Sequence, residues 1–270
     1  MLILMTSFII KGEKYELKDL SLLKNFNENN LFLKPYPHII INNCLDNNIY
    51  EHLENNYPSD EFIFKFDNKK HEVPMKNMRY QINCNNSLKL NKIDYIWRLF
   101  IDYHTSEQFY IEVVKKFNLL QNKIETVGKR NINNNDILLD CQIGINSISD
   151  IKSIVIGPHL DLCNKIYSGL FYMKQKNDKS LGGNLKIYDI IYPYNNLSEF
   201  TNIISEKNIF NNGKWDNKKI KVVKKIDYDK NILVLFLNTE NSIHGVSPRD
   251  PNIYSRRLIN IISEYNLQKK

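Results

Sequence analysis

The sequence predicts a mainly β protein with a helical buttress, that is, a jelly-roll (cupin-like) core preceded by an N-terminal α/β extension. The chain has 270 residues, 42% hydrophobic and 25% charged, as in ordinary globular proteins. Within residues 1–30 and 92–119 the apolar residues recur every three or four positions, whereas from about residue 135 they alternate every second position, as in a strand. About eight short strands in succession, joined by turn-rich loops, are typical of a double-sheet jelly roll.

The extension is expected to span residues 1–134 and to pack on the core as part of one catalytic unit. A short strand and a helix are predicted for residues 1–30, because leucines recur there at helical spacing. A strand is predicted for residues 35–41. Asp46 is then a candidate N-cap for a helix that ends near Asn56.

The second part of the extension combines an irregular segment with helices. Residues 60–91 are polar and are interpreted as either a substrate lid or a loop. Apolar residues at three- and four-residue spacing across 92–119 predict one long helix or two, with an apolar face packed on the sheet.

The core is expected to span residues 135–270. Its strands are predicted from period-two alternation bounded by turn residues. The candidate strands are Ile137–Ile143, Ile154–Asp161, Tyr167–Lys174, Asn184–Ile190, Lys219–Ile226, Ile232–Asn238, Ile243–Val246 and Arg256–Ser263.

Charge and cysteine content narrow the function classes. The formal net charge is +7, and the densest basic stretch, Lys214 to Lys225, is interpreted as the solvated face of a strand. The four cysteines show no paired spacing, which argues against a zinc ribbon or a thioredoxin-like site and favours a reducing, cytoplasmic location. No apolar run reaches membrane-spanning length, so no membrane contact is expected.

Residues 157–161, Gly-Pro-His-Leu-Asp, contain the first candidate metal ligands. His159 and Asp161 flank one residue, and alternate side chains on an extended strand share a face, so both point to one spot. His244 lies much later and leads into another strand-like stretch. Two histidines and one carboxylate form the facial triad of non-haem Fe(II) oxygenases, which leaves metal positions open. The alternative is that His159 is a turn histidine and His244 a hydrogen-bonded strand end.

Arg256 is the candidate partner for a carboxylate. It opens a predicted strand on which Arg256 and Asn260 share one face, whereas Arg257 lies on the other. A guanidinium holds a carboxylate with two parallel hydrogen bonds, which suits the distal carboxylate of 2-oxoglutarate. Arg257 and Arg249 are alternatives for this role.

Tyr172 follows the His-Leu-Asp segment on the next predicted strand, on the face that carries Ser168 and Leu170. A buried phenol needs a hydrogen-bond partner, and the same oxoglutarate carboxylate is a candidate. The alternative is that Tyr172 only packs in the core, as strand aromatics often do.

Several stretches resemble the 2-oxoglutarate/Fe(II)-dependent dioxygenase superfamily, on its prolyl-4-hydroxylase-like branch. The matching stretches are GPHLD, YSGLFYM, LGGNLKIY, NILVLFLNTENSIHGVSPR and RRLINII. The opening PYPHIIINNCLDNNIYEHLENNYP is similar to the strand-helix beginning common in that group. The resemblance covers most of the chain and is weakest across residues 60–130.

The resemblance implies a double-stranded β-helix that uses Fe(II) as cofactor and 2-oxoglutarate as co-substrate. Asp161 is intact, which does not fit a halogenase, and the RxNxTxR pattern of nucleic-acid demethylases is missing, so a nucleic-acid substrate is not expected. The implied site residues are His159, Asp161 and His244 for iron, Arg256 and Tyr172 for the distal carboxylate, and Gln142 and Asn146 for the other end of oxoglutarate or the substrate.

The leading hypothesis is therefore a hydroxylase that consumes O₂ and 2-oxoglutarate and releases succinate and CO₂. Its substrate would carry the C–H bond on an amino-acid side chain, a sugar or a small metabolite. Two alternatives stay open: a non-catalytic cupin-like binding module, and a nucleic-acid-modifying oxygenase motivated by the net charge of +7.

Overall fold

The structure is a computed structural model that describes residues 6–67, 77–119, 125–130, 134–191 and 220–269. Across these ranges the chain is mainly β, with helices concentrated in the first half. The strands are β1 Ser7–Ile10, β2 Glu13–Glu16, β3 Leu31–Phe32, β4 His38–Asn42, β5 Arg79–Ile82, β6 Val127–Lys129, β7 Ile137–Asn146, β8 Lys165–Met173, β9 Leu185–Ile190, β10 Ile220–Ile226, β11 Lys230–Leu237, β12 His244–Val246 and β13 Arg256–Tyr265. The α-helices are α1 Asn47–Asn55, α2 Asp60–Phe66, α3 Cys84–Lys89, α4 Tyr95–His104 and α5 Glu107–Lys116.

A large sheet forms the centre of the molecule, with the strand order β3-β4-β11-β8-β13-β7-β5 and with β6 added parallel to β7. All its other neighbouring strands pair antiparallel. A smaller antiparallel sheet has the order β10-β9-β12, and β1 and β2 form a separate hairpin. From β8 onward the chain passes between the two sheets, at β8 to β9, β10 to β11, β11 to β12 and β12 to β13, as chains do in jelly-roll proteins.

Side-chain alternation on the large sheet produces two apolar layers. On β11, Leu233 and Leu235 belong to the cluster shared with the helices, whereas Val234 and Phe236 belong to a cluster with Leu185 of the small sheet. Because successive side chains on a strand point to opposite faces, one strand fills both layers. The candidate site lies on the face toward the small sheet.

The helices cover the other face of the large sheet. The Asp46 side chain accepts a hydrogen bond from the Asn48 backbone N–H at 2.9 Å and caps α1, as the sequence predicts. On α4, the fully buried Trp97 donates its ring N–H to the Leu53 carbonyl of α1 at 3.0 Å. Residues 92–119 therefore contain two helices, α4 and α5, packed as an apolar buttress.

The first 91 residues differ from expectation in two places. The helix predicted within residues 1–30 is only a 3₁₀ turn, Leu17–Leu20, after the β1–β2 hairpin. Residues 60–91, expected to be irregular, contain α2, β5 and α3, while 68–76 lie outside the described residues. Packing explains why these elements form. Ile63 of α2 and Tyr80 of β5 are fully buried, so contacts with the core stabilise short elements whose polar sequence does not favour them.

Seven of the eight strands predicted after residue 134 form. The strand predicted for Ile154–Asp161 does not form, because the range holds one isolated bridge, His159 with His244, and another, Ser153 with Arg249, lies just before it. The basic stretch ends in β10, and its residues 214–219 lie outside the described ranges. The division into an extension and a core at residue 134 stays a prediction. Strands β4 and β5, which precede residue 134, pair with β11 and β7, which follow it. Among the helices described, none is long and apolar enough for a bilayer crossing.

Candidate metal centre and the adjoining cavity

His159 and His244 meet through a single antiparallel bridge. The His159 backbone N–H donates to the His244 carbonyl at 2.8 Å, and the reverse bond measures 3.1 Å. The two ring centroids are 4.3 Å apart. A Cβ on Gly245 would lie 2.8 Å from the Gly157 carbonyl, so the residue after His244 must be small for the two segments to touch.

Both imidazoles are oriented by backbone carbonyls. Nδ1 of His159 lies 2.9 Å from the Gly157 oxygen, and Nδ1 of His244 lies 2.9 Å from the Ser242 oxygen. A carbonyl only accepts, so each Nδ1 carries the proton and each Nε2 keeps its lone pair. Burial lowers the pKa of both histidines, that of His244 to about 4, so both rings are neutral near neutral pH.

Asp161 completes the group, because its carboxylate and the two imidazoles offer ligand atoms that all lie within 4.8 Å of one another. Ser168 donates its hydroxyl hydrogen to one Asp161 oxygen at 2.6 Å, and the Lys165 ammonium lies 3.1 Å from the other. Burial would raise the pKa of Asp161, but His244, Lys165 and Ser168 together lower it to about 2. The carboxylate is therefore ionised and held in place.

A cavity of about 240 Å³ opens beside these three residues. Its wall combines His159, Asp161 and His244 with polar side chains from the large sheet and a few apolar ones. The remaining wall residues are Arg79, Gln81, Arg130, Gln142, Ile156, Lys165, Ser168, Gly169, Leu170, Leu185, Phe236, Val246, Asn260 and Ile262.

Arg256 is buried and is not among the residues that line this cavity. Its Nε donates to the Gly183 carbonyl at 2.9 Å and its Nη1 to the Asn146 side-chain oxygen at 3.1 Å. The guanidinium carbon lies 4.8 Å from the ring centroid of Tyr172 and 4.9 Å from that of Tyr228. Two aromatic faces thus enclose the guanidinium, and only 1% of the surface of Arg256 is exposed to solvent.

Three of the four predicted oxoglutarate residues meet here and carry hydrogen-bonding atoms without partners. Among the described residues these atoms are Nη2 of Arg256, Nδ2 of Asn146 and the hydroxyl of Tyr172. Burial raises the pKa of Tyr172, and the charge of Arg256 opposes that rise, so the phenol keeps its proton. Buried polar atoms without partners are rare in native proteins, and three neighbouring donors suit an anionic ligand.

The two alternative arginines are held by other partners, although Arg249 also lies near Tyr228, 5.6 Å from its ring centroid. Arg249 uses its Nε, Nη1 and Nη2 on Ser180, on the Tyr254 carbonyl and on Asp178, with the ion pair at 2.6 Å. Arg257 lies on the other face of β13, with its guanidinium carbon 4.7 Å from the ring centroid of Tyr57. Arg249 thus has its donors engaged by protein groups, and Arg257 faces away from the site.

Gln142 lines the cavity and pairs with Asn260 on β13, whereas Arg256 pairs with Asn146 further along β7. Its Nε2 donates to Asp140 at 2.7 Å, and Asp140 also accepts from Nη1 of Arg130 at 2.8 Å. The Asn260 amide lies 3.4 Å from both the Gln142 and the Gln81 side-chain oxygens, beyond the usual length for such bonds. This part of the wall is a loosely bonded set of amides that a polar ligand could engage.

Sequence reasoning missed several cavity residues, above all Arg79, Gln81 and Lys165. The first two come from residues 60–91, where an irregular lid or loop was expected. The alternation Arg-Tyr-Gln-Ile over residues 79–82 was the available signal, because it places arginine and glutamine on one face and buried Tyr80 and Ile82 on the other.

Comparisons with known proteins yield remote structural matches. No protein-family model matches the chain, and no curated protein matches its sequence. A prolyl hydroxylase from Trichoplax adhaerens, solved with a hypoxia inducible factor peptide, is 15% identical (TM-score 0.46), with 86% of this chain and 85% of that one covered. A prolyl-4-hydroxylase from Pseudomonas putida is 11% identical (TM-score 0.46; 84% and 92% covered).

A third match is the dioxygenase for auxin oxidation 1 from Arabidopsis thaliana, in a 2-oxoglutarate complex. It is 11% identical (TM-score 0.45), with 84% of this chain and 82% of that one covered. Likeness at this level does not decide a function, which has to be argued from the residues of the site.

Proposed function

We propose that this chain is an Fe(II)- and 2-oxoglutarate-dependent oxygenase that hydroxylates a C–H bond. One observation carries the proposal: a two-histidine, one-carboxylate group lies on the same side of the large sheet as a buried arginine whose donors are not all used. A metal-binding module needs only the first feature, and a packed core needs neither.

The donor set fits Fe(II). The Nε2 atoms of His159 and His244 are neutral donors, and Asp161 adds one negative oxygen, which is the ligand set of the facial triad. The carbonyls that accept from Nδ1 and the hydroxyl of Ser168 orient these ligands, as supporting hydrogen bonds do in metal sites.

The second group fits the distal carboxylate of 2-oxoglutarate. Arg256 offers Nη2 in a charge-assisted bond, and Tyr172 and Asn146 add neutral donors. An anion there would also neutralise a guanidinium that is otherwise buried between aromatic rings. When bound, iron and oxoglutarate supply the oxidation: O₂ is consumed, succinate and CO₂ leave, and the substrate gains a hydroxyl group.

The chain's own contribution is to position these groups and keep bulk water out. His244, Arg256 and Tyr172 are all buried, so charges in the site interact in a medium less polarisable than water. We assign the two sheets to the double-stranded β-helix. The substrate of the enzyme would be an amino-acid side chain, a sugar or a small metabolite, and the amide side chains of Gln81, Gln142 and Asn260 on the cavity wall suit such a polar molecule.

The test is spectroscopic and chemical. Under argon, protein loaded with Fe(II) should gain a weak visible absorption band when 2-oxoglutarate is added, and in air it should form succinate. The control is Asp161→Ala, which should do neither. Folded wild-type protein that binds iron but shows no band and forms no succinate would refute the oxygenase. Metal binding without any effect of oxoglutarate on the melting temperature would favour the binding module instead.

A further inference from the structure

Arg79 shares one row of the large sheet with the proposed oxoglutarate residues. It lies opposite Asn146 on β7, and Asn146 lies opposite Arg256 on β13. Neighbouring strands are about 4.8 Å apart, so the Cα atoms of the two arginines are about 10 Å apart with Asn146 between them. Paired residues of neighbouring strands project to the same face, so both arginines and Asn146 are directed toward the site.

The surroundings of Arg79 place it between the two halves of that site. It lines the cavity together with His159 and Asp161, whereas Arg256 does not. The surrounding protein and the charge of Arg256 lower the pKa of Arg79, while Tyr172 and Asp161 raise it. Arg79 is thus within electrostatic reach of the carboxylate of the metal group at one end and of Arg256 at the other.

Positive charge exceeds negative charge along the cavity wall. Among the described wall residues Arg79, Arg130 and Lys165 are cationic, and Asp161 is the one carboxylate. Arg130 is neutralised outside the wall by Glu264 and Asp140, with ion pairs of 2.8 Å, and Lys165 lies against Asp161. A ligand that lies between Asp161 and Arg256 meets the Arg79 guanidinium as well, and a dianion offers one carboxylate to each of the two guanidinium groups.

We infer that Arg79 binds the carboxylate at the keto end of 2-oxoglutarate, while Arg256 binds the distal one. The inference rests on the proposed function. The size of the co-substrate agrees: four C–C bonds of about 1.52 Å separate its carboxylate carbons by about 5 Å when extended, less than the spacing of the two arginine Cα atoms. Arg79 would act as a positioning residue that fixes the oxoacid beside the metal group.

Two ligands separate the roles of the arginines: 2-oxoglutarate, and 2-oxopentanoate, which keeps the keto-end carboxylate but lacks the distal one. Each is titrated calorimetrically, under argon, into Fe(II)-loaded wild type, Arg79→Gln and Arg256→Gln. We expect Arg79→Gln to weaken both ligands about ten- to hundred-fold, because a charge-assisted hydrogen bond is lost with each. Arg256→Gln should weaken 2-oxoglutarate similarly and leave 2-oxopentanoate unchanged.

Controls separate binding from folding. Arg98→Gln, on α4 beside the Tyr95 ring, should bind both ligands as wild type does. Arg79→Lys keeps the charge and should recover part of the affinity if Arg79→Gln is folded, as circular dichroism would show. The inference is overturned if folded Arg79→Gln binds 2-oxoglutarate as tightly as the wild type or more tightly. It is also overturned if Arg79→Gln binds 2-oxoglutarate more weakly but binds 2-oxopentanoate as tightly as the wild type does. In either case normal binding by the wild type leaves the proposed function standing, whereas no binding by the wild type removes both.

Discussion

Replacing Arg256 with lysine tests the proposed carboxylate site most directly. The substitution keeps the positive charge but removes the planar fork of donors. In the structure Nε and Nη1 are already committed to the Gly183 carbonyl and the Asn146 side chain, which leaves Nη2 for a ligand. A single ammonium nitrogen cannot reach both protein oxygens and a carboxylate in that geometry.

The expected magnitude follows from these contacts. Losing one hydrogen bond between charged groups costs about 1.5–3 kcal/mol, so the affinity for 2-oxoglutarate should fall about ten- to hundred-fold. The bonds to Gly183 and Asn146 weaken as well, and the free energy of unfolding should fall by about 1–3 kcal/mol. Iron affinity should change little, because Arg256 lies outside the metal group.

The assay is a calorimetric titration of 2-oxoglutarate into anaerobic, iron-loaded protein, with metal content measured in parallel. Arg257→Lys is the matched control, because Arg257 lies on the other face of β13 over Tyr57. If Arg257→Lys loses affinity for 2-oxoglutarate and Arg256→Lys does not, the strand register is shifted by one residue. A loss in neither variant would refute the carboxylate site.

Three further substitutions test the metal group and the core. Asp161→Ala should abolish metal retention after dialysis while the melting temperature changes little, because only neutral ligands remain in a site at the cavity wall; normal metal content would contradict the ligand assignment. Ser168→Ala should lower iron affinity about ten- to hundred-fold in a metal titration, because the 2.6 Å bond that orients Asp161 is lost, and unchanged affinity would show that this bond is dispensable. Trp97→Ala should lower the free energy of unfolding by about 3–5 kcal/mol in urea, because Trp97 is fully buried between Tyr57 and Phe100; a cost below about 1 kcal/mol would contradict the packing.

The sequence by itself determined most of the strands whose side chains alternate and the faces to which the side chains of β13 point. Period-two alternation located β7 to β13, and it placed Arg256 and Asn260 on the face opposite Arg257 and Ile259. These features depend on neighbouring residues, so they are visible in one stretch of chain. The same holds for Asp46, whose capping role needs only the helix that follows it.

Only the tertiary structure decided how distant segments meet. The helix predicted within residues 1–30 is reduced to the 3₁₀ turn Leu17–Leu20 after the β1–β2 hairpin, and the strand predicted before Asp161 is replaced by the isolated bridge of His159 with the distant His244. Arg79 entered the cavity because β5 pairs with β7, a contact between residues more than sixty positions apart. Such pairings depend on the whole sheet, so no local pattern in the sequence reveals that Arg79 and Arg256 flank Asn146.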